Sequence, residues 1–174
     1  GCPACDAFSF QQPEDSGSVW ILYGSATGIT ATGLRYLDQD SSDGGGVEML
    51  NSCEVSDFFG QSLAAGDWNG DFAADLAIGV ASETLGTTNN AGAVQVVYGF
   101  PGVGLRVAGN QFWRESNVAT GGVEEAEDHF GLALAAGDVT GDGIDDLVIG
   151  TPYEDVAGFT DAGAITLLWG QPGT

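Results

Sequence analysis

The feature that most constrains this chain is that it repeats itself. Residues 57–80 read DFFGQSLAAGDWNGDFAADLAIGV and residues 128–151 read DHFGLALAAGDVTGDGIDDLVIGT, so the two segments align without a gap at an offset of about 71 residues. A second element occurs as GSVWILYG at 17–24, GAVQVVYG at 92–99 and GAITLLWG at 163–170. Because ordered elements recur in register, the chain is an array of similar structural units.

A third, looser element recurs as GITATGLRYLDQD at 28–40 and GLRVAGNQFWRES at 104–116. Together the elements give a period of about 71–75 residues, and the chain holds about two and a half copies. We therefore divide it into an N-terminal segment with Cys2 and Cys5 at 1–16, a partial unit at 17–56, a full unit at 57–127 and a second, truncated unit at 128–174.

Each copy reads as a set of short strands. In the first full copy, SLAAGD, DLAIGV and AVQVVYG are apolar or β-rich runs, and QFWRES is a fourth, edge strand. Glycine, at 29 of 174 residues, suits tight turns and disfavours helices. Four strands per copy at this period are typical of a β-propeller blade, so the sequence predicts an all-β fold of propeller-type blades. We expect the strand aromatics Trp20, Tyr98 and Trp169 to pack in the core.

An acidic loop separates the first two strands of each full copy. It reads DWNGDFAAD at 67–75 and DVTGDGIDD at 138–146, with oxygen-bearing side chains at the first, third, fifth and ninth positions of both. Alternate residues of a tight loop can face one centre, and the carbonyl of the seventh residue supplies a further oxygen. The candidate metal ligands are Asp67, Asn69, Asp71, Ala73 and Asp75 in the first loop and Asp138, Thr140, Asp142, Ile144 and Asp146 in the second.

Calcium is the cofactor that this ligand set favours, because Ca²⁺ takes about six to eight hard oxygen ligands. Mg²⁺ is the second choice, since it demands stricter octahedral geometry and usually keeps several waters. A polar β-turn, whose Asp and Asn side chains cap backbone amides, is the structural alternative. That alternative does not account for three carboxylates and a neutral oxygen at matched positions in both copies.

The acidic excess limits the kind of partner. The chain has 25 Asp and Glu, three Arg and no Lys, for a net charge of −22. Such a charge repels nucleic acid and anionic membrane surfaces and suits cations. It is interpreted partly as a solvated acidic surface and partly as metal ligands. No run of about 18 apolar residues is present, so membrane insertion is not expected.

No catalytic constellation is recognisable, and we expect that the protein is not an enzyme. The single histidine, His129, adjoins Phe130-Gly131 and is interpreted as structural. Without a second histidine, a nucleophile–base pair would need unusual chemistry. The adjacent acids Asp145 and Asp146 would point to opposite faces of a strand, so they are not expected to form a glycosidase pair.

The cysteines Cys2, Cys5 and Cys53 leave several interpretations open. A disulfide that joins Cys53 to Cys2 or Cys5 is expected in an oxidising compartment. The segment from Cys2 to Cys5 also has the spacing of a redox or zinc motif, although it lacks a βαβ context and a second ligand pair. Gly1-Cys2 further resembles the end of a lipoprotein signal.

The ordered motifs together resemble a known repeat. Phe-Gly, Ala-Gly-Asp, Asp-x-Asn-Gly-Asp, Asp-Leu-x-Ile-Gly and Gly-Ala-Val…Tyr-Gly follow one another as in the FG-GAP repeat of integrin-α propellers, and GSATGITATG is similar to bacterial secreted versions. The resemblance covers about residues 17–170 and implies four-stranded antiparallel blades, about two and a half here against about seven in the family. It also implies that the loop residues named above bind Ca²⁺, with Thr140 departing from the usual Asn or Asp.

The resemblance implies a secreted or cell-surface, extracellular protein, and two functions fit it. The first is a calcium-binding structural or adhesive module that self-associates or joins a larger ring or filament. The alternative is a calcium-dependent, lectin-like carbohydrate-binding module. That alternative needs aromatics repeated between copies, whereas Trp68 aligns with Val139 and Trp113 with Leu37. A fragment of a larger enzyme would leave no trace in these residues.

The expected partners follow from the incomplete terminal blades. We expect a homo-oligomer or polymer formed through those blades, with an extracellular protein or a glycan as ligand. Because the two acidic loops lie in different copies, loss of one calcium site is expected to leave the other intact.

Overall fold

The computed structural model describes residues 13–44, 46–118 and 122–173. Its elements are β1 (Val19–Ser25), β2 (Gly28–Leu37), β3 (Ser42–Gly44), β4 (Val47–Glu48), β5 (Ser62–Gly66), β6 (Asp75–Val80), β7 (Ala93–Phe100), β8 (Gly104–Trp113), α1 (Glu115–Val118), β9 (Ala133–Gly137), β10 (Asp146–Thr151) and β11 (Ala164–Leu168). Among the described residues, no helix is long and apolar enough to cross a membrane.

The strands form propeller-type blades. Strands β5 to β8 form one antiparallel sheet in chain order, which is a complete blade. Strands β9, β10 and β11 repeat the first three strands of that sheet, and β1 and β2 repeat its third and fourth strands. The predicted all-β fold of four-stranded antiparallel blades is therefore confirmed. We call these units the first, complete and last blades in chain order.

The fourth strand of the complete blade lies earlier than the sequence suggested. We predicted QFWRES, but β8 runs from Gly104 to Trp113 and the chain then turns into the short helix α1. The Asn117 side chain causes this ending, because its Oδ1 accepts the Arg114 backbone N–H at 2.8 Å. A backbone N–H that donates to a nearby side chain is not available for hydrogen bonding to a neighbouring strand.

A short hairpin, β3 with β4, connects the first blade to the complete one. Asp43 on β3 forms an ion pair with Arg35 of β2. The same carboxylate accepts the backbone N–H of Ala108 at 3.0 Å, and Arg35 donates to the Leu105 carbonyl at 2.8 Å. The hairpin therefore holds two neighbouring blades in one polar network.

The phenylalanine of each Phe-Gly pair lies at the centre of a hydrophobic cluster. Phe59 is buried with Val19 of the first blade and with Ile78 and Val80 of its own blade. Phe130 is buried in the second cluster. Its neighbours there include Ala64, Trp68, Ala77, Val94, Val96, Leu147 and Ile149. Each phenylalanine thus fills the space between its own blade and the blade before it.

Backbone hydrogen bonds complete these contacts, which we call the Phe-Gly junctions. Phe59 pairs with Gly17 and Phe130 with Gly92, both in parallel. The Phe59 N–H donates to the Ser16 carbonyl at 2.8 Å, and the Phe130 N–H donates to the Ala91 carbonyl at 2.9 Å. Glycine is required at 92, because φ is +85° and a Cβ would overlap the backbone of Phe130.

The cysteine predictions fall largely outside the described residues. Cys53 is buried. Cys2 and Cys5 lie in residues 1–12, which are not described. A disulfide from Cys53 to either of them, and a redox, zinc or lipid role for the N-terminal pair, stay predictions.

Candidate functional site

Both acidic loops connect the first and second strands of a blade. The first runs from the end of β5 to Asp75, the first residue of β6, and the second runs from the end of β9 to Asp146, the first residue of β10. The predicted ligand positions therefore lie on equivalent β-hairpins at the same end of two neighbouring blades.

The first loop wraps around its own acidic side chains. The Asp67 carboxylate accepts the backbone N–H groups of Asp71 at 3.1 Å and Phe72 at 2.9 Å. Asn69 Oδ1 accepts the Asp71 N–H at 3.0 Å, and Asp71 Oδ1 accepts the Ala73 N–H at 2.8 Å. These bonds draw the oxygens of the first, third and fifth positions toward the inside of the loop.

The second loop has the same arrangement, and its side chains accept at least as many bonds from its own backbone. Asp138 accepts backbone N–H groups from Asp142 at 3.1 Å and Gly143 at 2.9 Å. Asp142 Oδ1 accepts the Ile144 N–H at 2.9 Å. The Thr140 hydroxyl lies 3.4 Å from Asp138 Oδ1, so the substituted third position also faces the first.

The aspartates at the ninth position are buried and bridge each loop to the third strand. Asp75 accepts the Trp68 N–H at 3.0 Å and the Gly99 N–H at 2.8 Å, one bond on each carboxylate oxygen. Asp146 likewise accepts the Val139 N–H at 2.9 Å and the Gly170 N–H at 3.0 Å. These two residues therefore fix the loops to the blades as well as offering oxygen ligands.

The charges in the first loop converge on Asp75. Burial, together with the nearby carboxylates of Asp71 and Asp67, raises the pKa of Asp75 to about 6, although the amides of Gly99 and Trp68 oppose the shift. A divalent cation relieves such repulsion between carboxylates. Hard oxygen donors and converging negative charge therefore make the first loop suitable for Ca²⁺.

The second loop differs in its electrostatics. Burial raises the pKa of Asp146, but the backbone amides of Gly170, Thr140 and Val139 outweigh burial and hold that pKa below its ordinary value. The cover of the two loops also differs, because Trp68 is buried over the first loop whereas its counterpart Val139 is exposed. The ninth-position carboxyl of the second loop is thus held in its ionised form, unlike that of the first loop.

The two loops are in direct contact. Asp67 donates its backbone N–H to Asp145 Oδ2 at 2.9 Å, and Asp145 donates its own N–H to the Asp67 carbonyl at 3.1 Å. The Gln171 N–H also reaches the Trp68 carbonyl at 2.9 Å. Neighbouring blades thus place both loops at one edge, and the independence of the two sites in Ca²⁺ binding stays a prediction.

The sequence interpretation missed a second kind of acidic group. In the described part of the chain, two sets of three carboxylates bring their oxygens within 4.8 Å of one another, and neither belongs to the loops. They are Glu54, Asp57 and Glu83, and Glu115, Asp128 and Glu154. The repeat alignment carried a signal for them, since Asp57 aligns with Asp128 and Glu83 with Glu154.

An aromatic-lined cleft of about 710 Å³ lies between the complete and last blades. Its walls include Trp68, Tyr98, Trp113 and Trp169. The expectation that Trp20 and Trp169 pack in the core is wrong, because both are exposed, while Tyr98 is half-buried. Trp20 lies on β1 and packs edge-on against Tyr36, whereas Trp169 follows β11 and lines the cleft.

Comparisons with known proteins agree with the repeat. Residues 59–97 and 130–168 each match the FG-GAP repeat. The chain is 31% identical over 156 residues to phosphatidylinositol-glycan-specific phospholipase D of Rattus norvegicus, which is 90% of this chain and 17% of that protein. It is 32% identical over 154 residues to integrin alpha-5 of Xenopus laevis, which is 88% of this chain and 13% of that protein.

A further relative is integrin alpha-PS2 of Drosophila melanogaster, at 32% identity over 123 residues, 67% of this chain and 8% of that protein. The chain thus spans less than a fifth of the length of these curated relatives. Its similarity to the phospholipase is confined to that aligned stretch.

Proposed function

Because this chain is an FG-GAP repeat protein, we propose that it is an extracellular, calcium-binding structural or adhesive module that associates into a larger propeller assembly. The proposed role is not catalytic. One observation carries it: the chain builds the Phe-Gly junction twice and presents the acceptor half of that junction a third time.

The third acceptor lies in the last blade. Residues 160–162 align with residues 89–91, whose carbonyls accept the N–H groups of Glu127, His129 and Phe130. The backbone conformation is the same, since φ is 51° at Asp161 and 52° at Asn90. Residues 160–162 are exposed. The last blade therefore leaves these carbonyl acceptors open to a further chain segment.

An apolar groove adjoins these acceptors. It encloses about 490 Å³ and is lined by Leu132, Ala133, Gly150, Thr151, Pro152, Gly163, Ala164 and Ile165. Ile165 aligns with Val94, which packs against Phe130, yet Ile165 is 77% exposed and Val94 is 0% exposed. The groove takes the place that Phe130 fills in the preceding junction. Because Phe59 and Phe130 are already buried in this chain's own junctions, we take the incomplete first blade of a second copy as its occupant.

Calcium favours such an assembly in two ways. A cation bound at each loop offsets part of the net charge of −22, which otherwise opposes the approach of two chains. The contact between the loops of adjacent blades lets calcium stabilise the arrangement of blades as well as each loop. The support for Ca²⁺ is the oxygen-rich donor set, held at matched positions in both loops.

Size-exclusion chromatography with light scattering, in Ca²⁺ and in EGTA, tests the proposal. We expect oligomers in Ca²⁺ and a higher melting temperature, with about 2.7 kcal/mol of added stability per site at a free calcium of about 100 Kd. Ile165→Asp should abolish the oligomers, whereas Val103→Asp, at an exposed valine between β7 and β8 of the complete blade, should not. A 17.7 kDa monomer in both conditions contradicts the assembly, and equal melting temperatures contradict the calcium role.

Calcium-dependent carbohydrate binding is the second candidate. The observation that favours it is the aromatic-lined cleft, since aromatic faces pack against sugar rings and Trp169 is exposed there. Screening against a glycan array, with Trp169→Ala as the site variant, separates the candidates. Glycan binding that Trp169→Ala removes would favour the lectin role over the structural one.

A further inference from the structure

The acidic groups outside the loops lie beside the Phe-Gly junctions. Asp57 and Asp128 precede the two Phe-Gly pairs, while Glu83 and Glu154 follow the second strand of their blades. Each residue directs a carboxylate oxygen to within 4.8 Å of its neighbours in the group. These groups are therefore equivalent features of the two junctions.

The third member of each site comes from the preceding blade. When the third sequence element is aligned, Gln39 falls on Glu115. Gln39 donates from Nε2 to Glu83 Oε2 at 2.7 Å, so it faces the first group as Glu115 faces the second. One site is thus built twice from three chain segments: the end of a fourth strand, the approach to the Phe-Gly pair and the turn after a second strand.

In the described part of the chain, buried oxygens in both sites receive no donor from the protein, apart from a proton that the Glu115 and Glu154 carboxyls can share. They are Oε2 of Glu115, Oε2 of Glu154 and Oε1 of Gln39. Glu115 is 5% exposed and Gln39 is 1% exposed. A buried acceptor without a donor is costly, and a carboxylate oxygen more so. Their recurrence at aligned positions indicates a ligand that the protein alone does not supply.

Two of the three arginines lie against carboxylates outside these sites. Arg35 pairs with Asp43, and Arg114 lies 3.5 Å from Glu124. The three carboxylates of the second site hold their oxygens within 4.8 Å of one another, so they repel when all three are ionised, and a bound cation removes that repulsion.

We propose that each Phe-Gly junction binds a divalent cation, with Ca²⁺ the expected ion, apart from the acidic loops. Its ligands at the second junction are Glu115, Asp128 and Glu154. At the first junction they are Gln39, Asp57 and Glu83, with Glu54 at the exposed side. A half-turn of the Gln39 amide brings Oε1 to the position that Nε2 takes here, and the two orientations differ only in assignment.

The site would hold two blades together, because Gln39 and Glu115 belong to the blade before the one that carries the other ligands. Carboxylate and amide oxygens are hard donors of the kind that Ca²⁺ prefers, and water completes its shell of about six to eight ligands. The proposal does not depend on calcium in the loops.

Counting bound Ca²⁺ on the whole chain tests it. Equilibrium dialysis at fixed free Ca²⁺, followed by atomic emission, should give one ion fewer for the double variant Glu115→Gln/Glu154→Gln than for wild type. Glu48→Gln, the same change at an exposed carboxylate, should leave the count unaltered. Asp71→Ala should instead remove a loop ion, so failure of the loop sites and failure of the junction sites are distinguishable. An unaltered count in a folded double variant overturns the proposal.

Exchanging the aligned residues Gln39 and Glu115 between the two junctions gives a second test that does not depend on the double variant. Gln39→Glu gives the first junction the carboxylate of the second, and should strengthen its Ca²⁺ affinity roughly tenfold. Glu115→Gln should raise the melting temperature in EGTA, by removing repulsion, and should reduce the further rise that Ca²⁺ produces. If Glu115→Gln raises the melting temperature equally in Ca²⁺ and EGTA, and Gln39→Glu leaves the affinity unaltered, the carboxylates only share protons and the cation site is rejected.

Discussion

Asp145 Oδ2 accepts the backbone N–H of Asp67 at 2.9 Å, so the acidic loop of one blade is bonded to the acidic loop of the next. The position that aligns with Asp145 in the first full copy is Ala74, which has no such acceptor. The carboxylate contact between loops is therefore made by the last blade toward the complete blade and has no equivalent at Ala74.

Asp145→Ala is expected to lower the free energy of unfolding by about 1–2 kcal/mol, because it leaves the Asp67 N–H without its charged acceptor. Asp145→Asn keeps an oxygen at that place and should cost less. Urea unfolding measures both. An Asp145→Ala variant as stable as wild type would show that the bond between the loops contributes nothing.

The same variant should weaken Ca²⁺ binding at the first loop, although Asp145 is not among the predicted ligands. The Asp67 backbone is displaced when its acceptor is removed, and Asp67 is the first ligand position of that loop. Isothermal titration of Asp145→Ala measures the affinity. A loss confined to the second loop would support the independence of the two sites.

Gly92→Ala should destabilise the chain by at least about 2 kcal/mol, since a Cβ there overlaps the Phe130 backbone at a φ of +85°. Gly86→Ala is the matched control, because Gly86 also has a positive φ, +67°, but a Cβ there meets nothing within 4 Å. Thermal melting compares the two. Equal losses in both variants would mean that only the dihedral angle, and not the junction, requires glycine at 92.

Phe72→Gly should stabilise the chain by up to about 1 kcal/mol. Phe72 is 97% exposed and holds a φ of 66°, a left-handed conformation that is costly for a residue with a Cβ. The second loop has Gly143 at the same place, with a φ of 91°. Ala74→Gly, two residues on, has no such strain to relieve and should lower stability. A lower melting temperature for Phe72→Gly would indicate that the exposed ring makes a contact that matters.

The Arg35–Asp43 pair should make part of the stability depend on acid pH. Burial raises the pKa of Asp43, but the bond from Arg35 and the amides of Ala108 and Val107 outweigh it and lower that pKa below its ordinary 3.8. The stabilisation is present above pH 3.8 and is lost as the pH falls through the lowered folded-state value. The difference in unfolding free energy between wild type and Asp43→Asn should therefore shrink in acid. A difference that is constant with pH would contradict this.

The local structure was largely readable from the sequence. The hairpin loops at 67–75 and 138–146 and the strands on either side of them follow from the spacing of acids, glycines and apolar runs, because each depends on residues close together in the chain. The predicted fourth strand extended past its true end at Trp113. The Arg114 N–H donates to the Asn117 side chain instead of to a neighbouring strand, and the apolar pattern does not record that bond.

The sequence by itself determined the repeat, the blade type and the order of oxygen-bearing residues in each loop, since all three are properties of short segments that recur. Only the tertiary structure decided which segments meet. It brought Asp145 to Asp67, and it brought Glu115 to Glu154 from the end of one blade and the turn of the next. Contacts of this kind depend on how neighbouring blades pack, and no local periodicity in the chain records that packing.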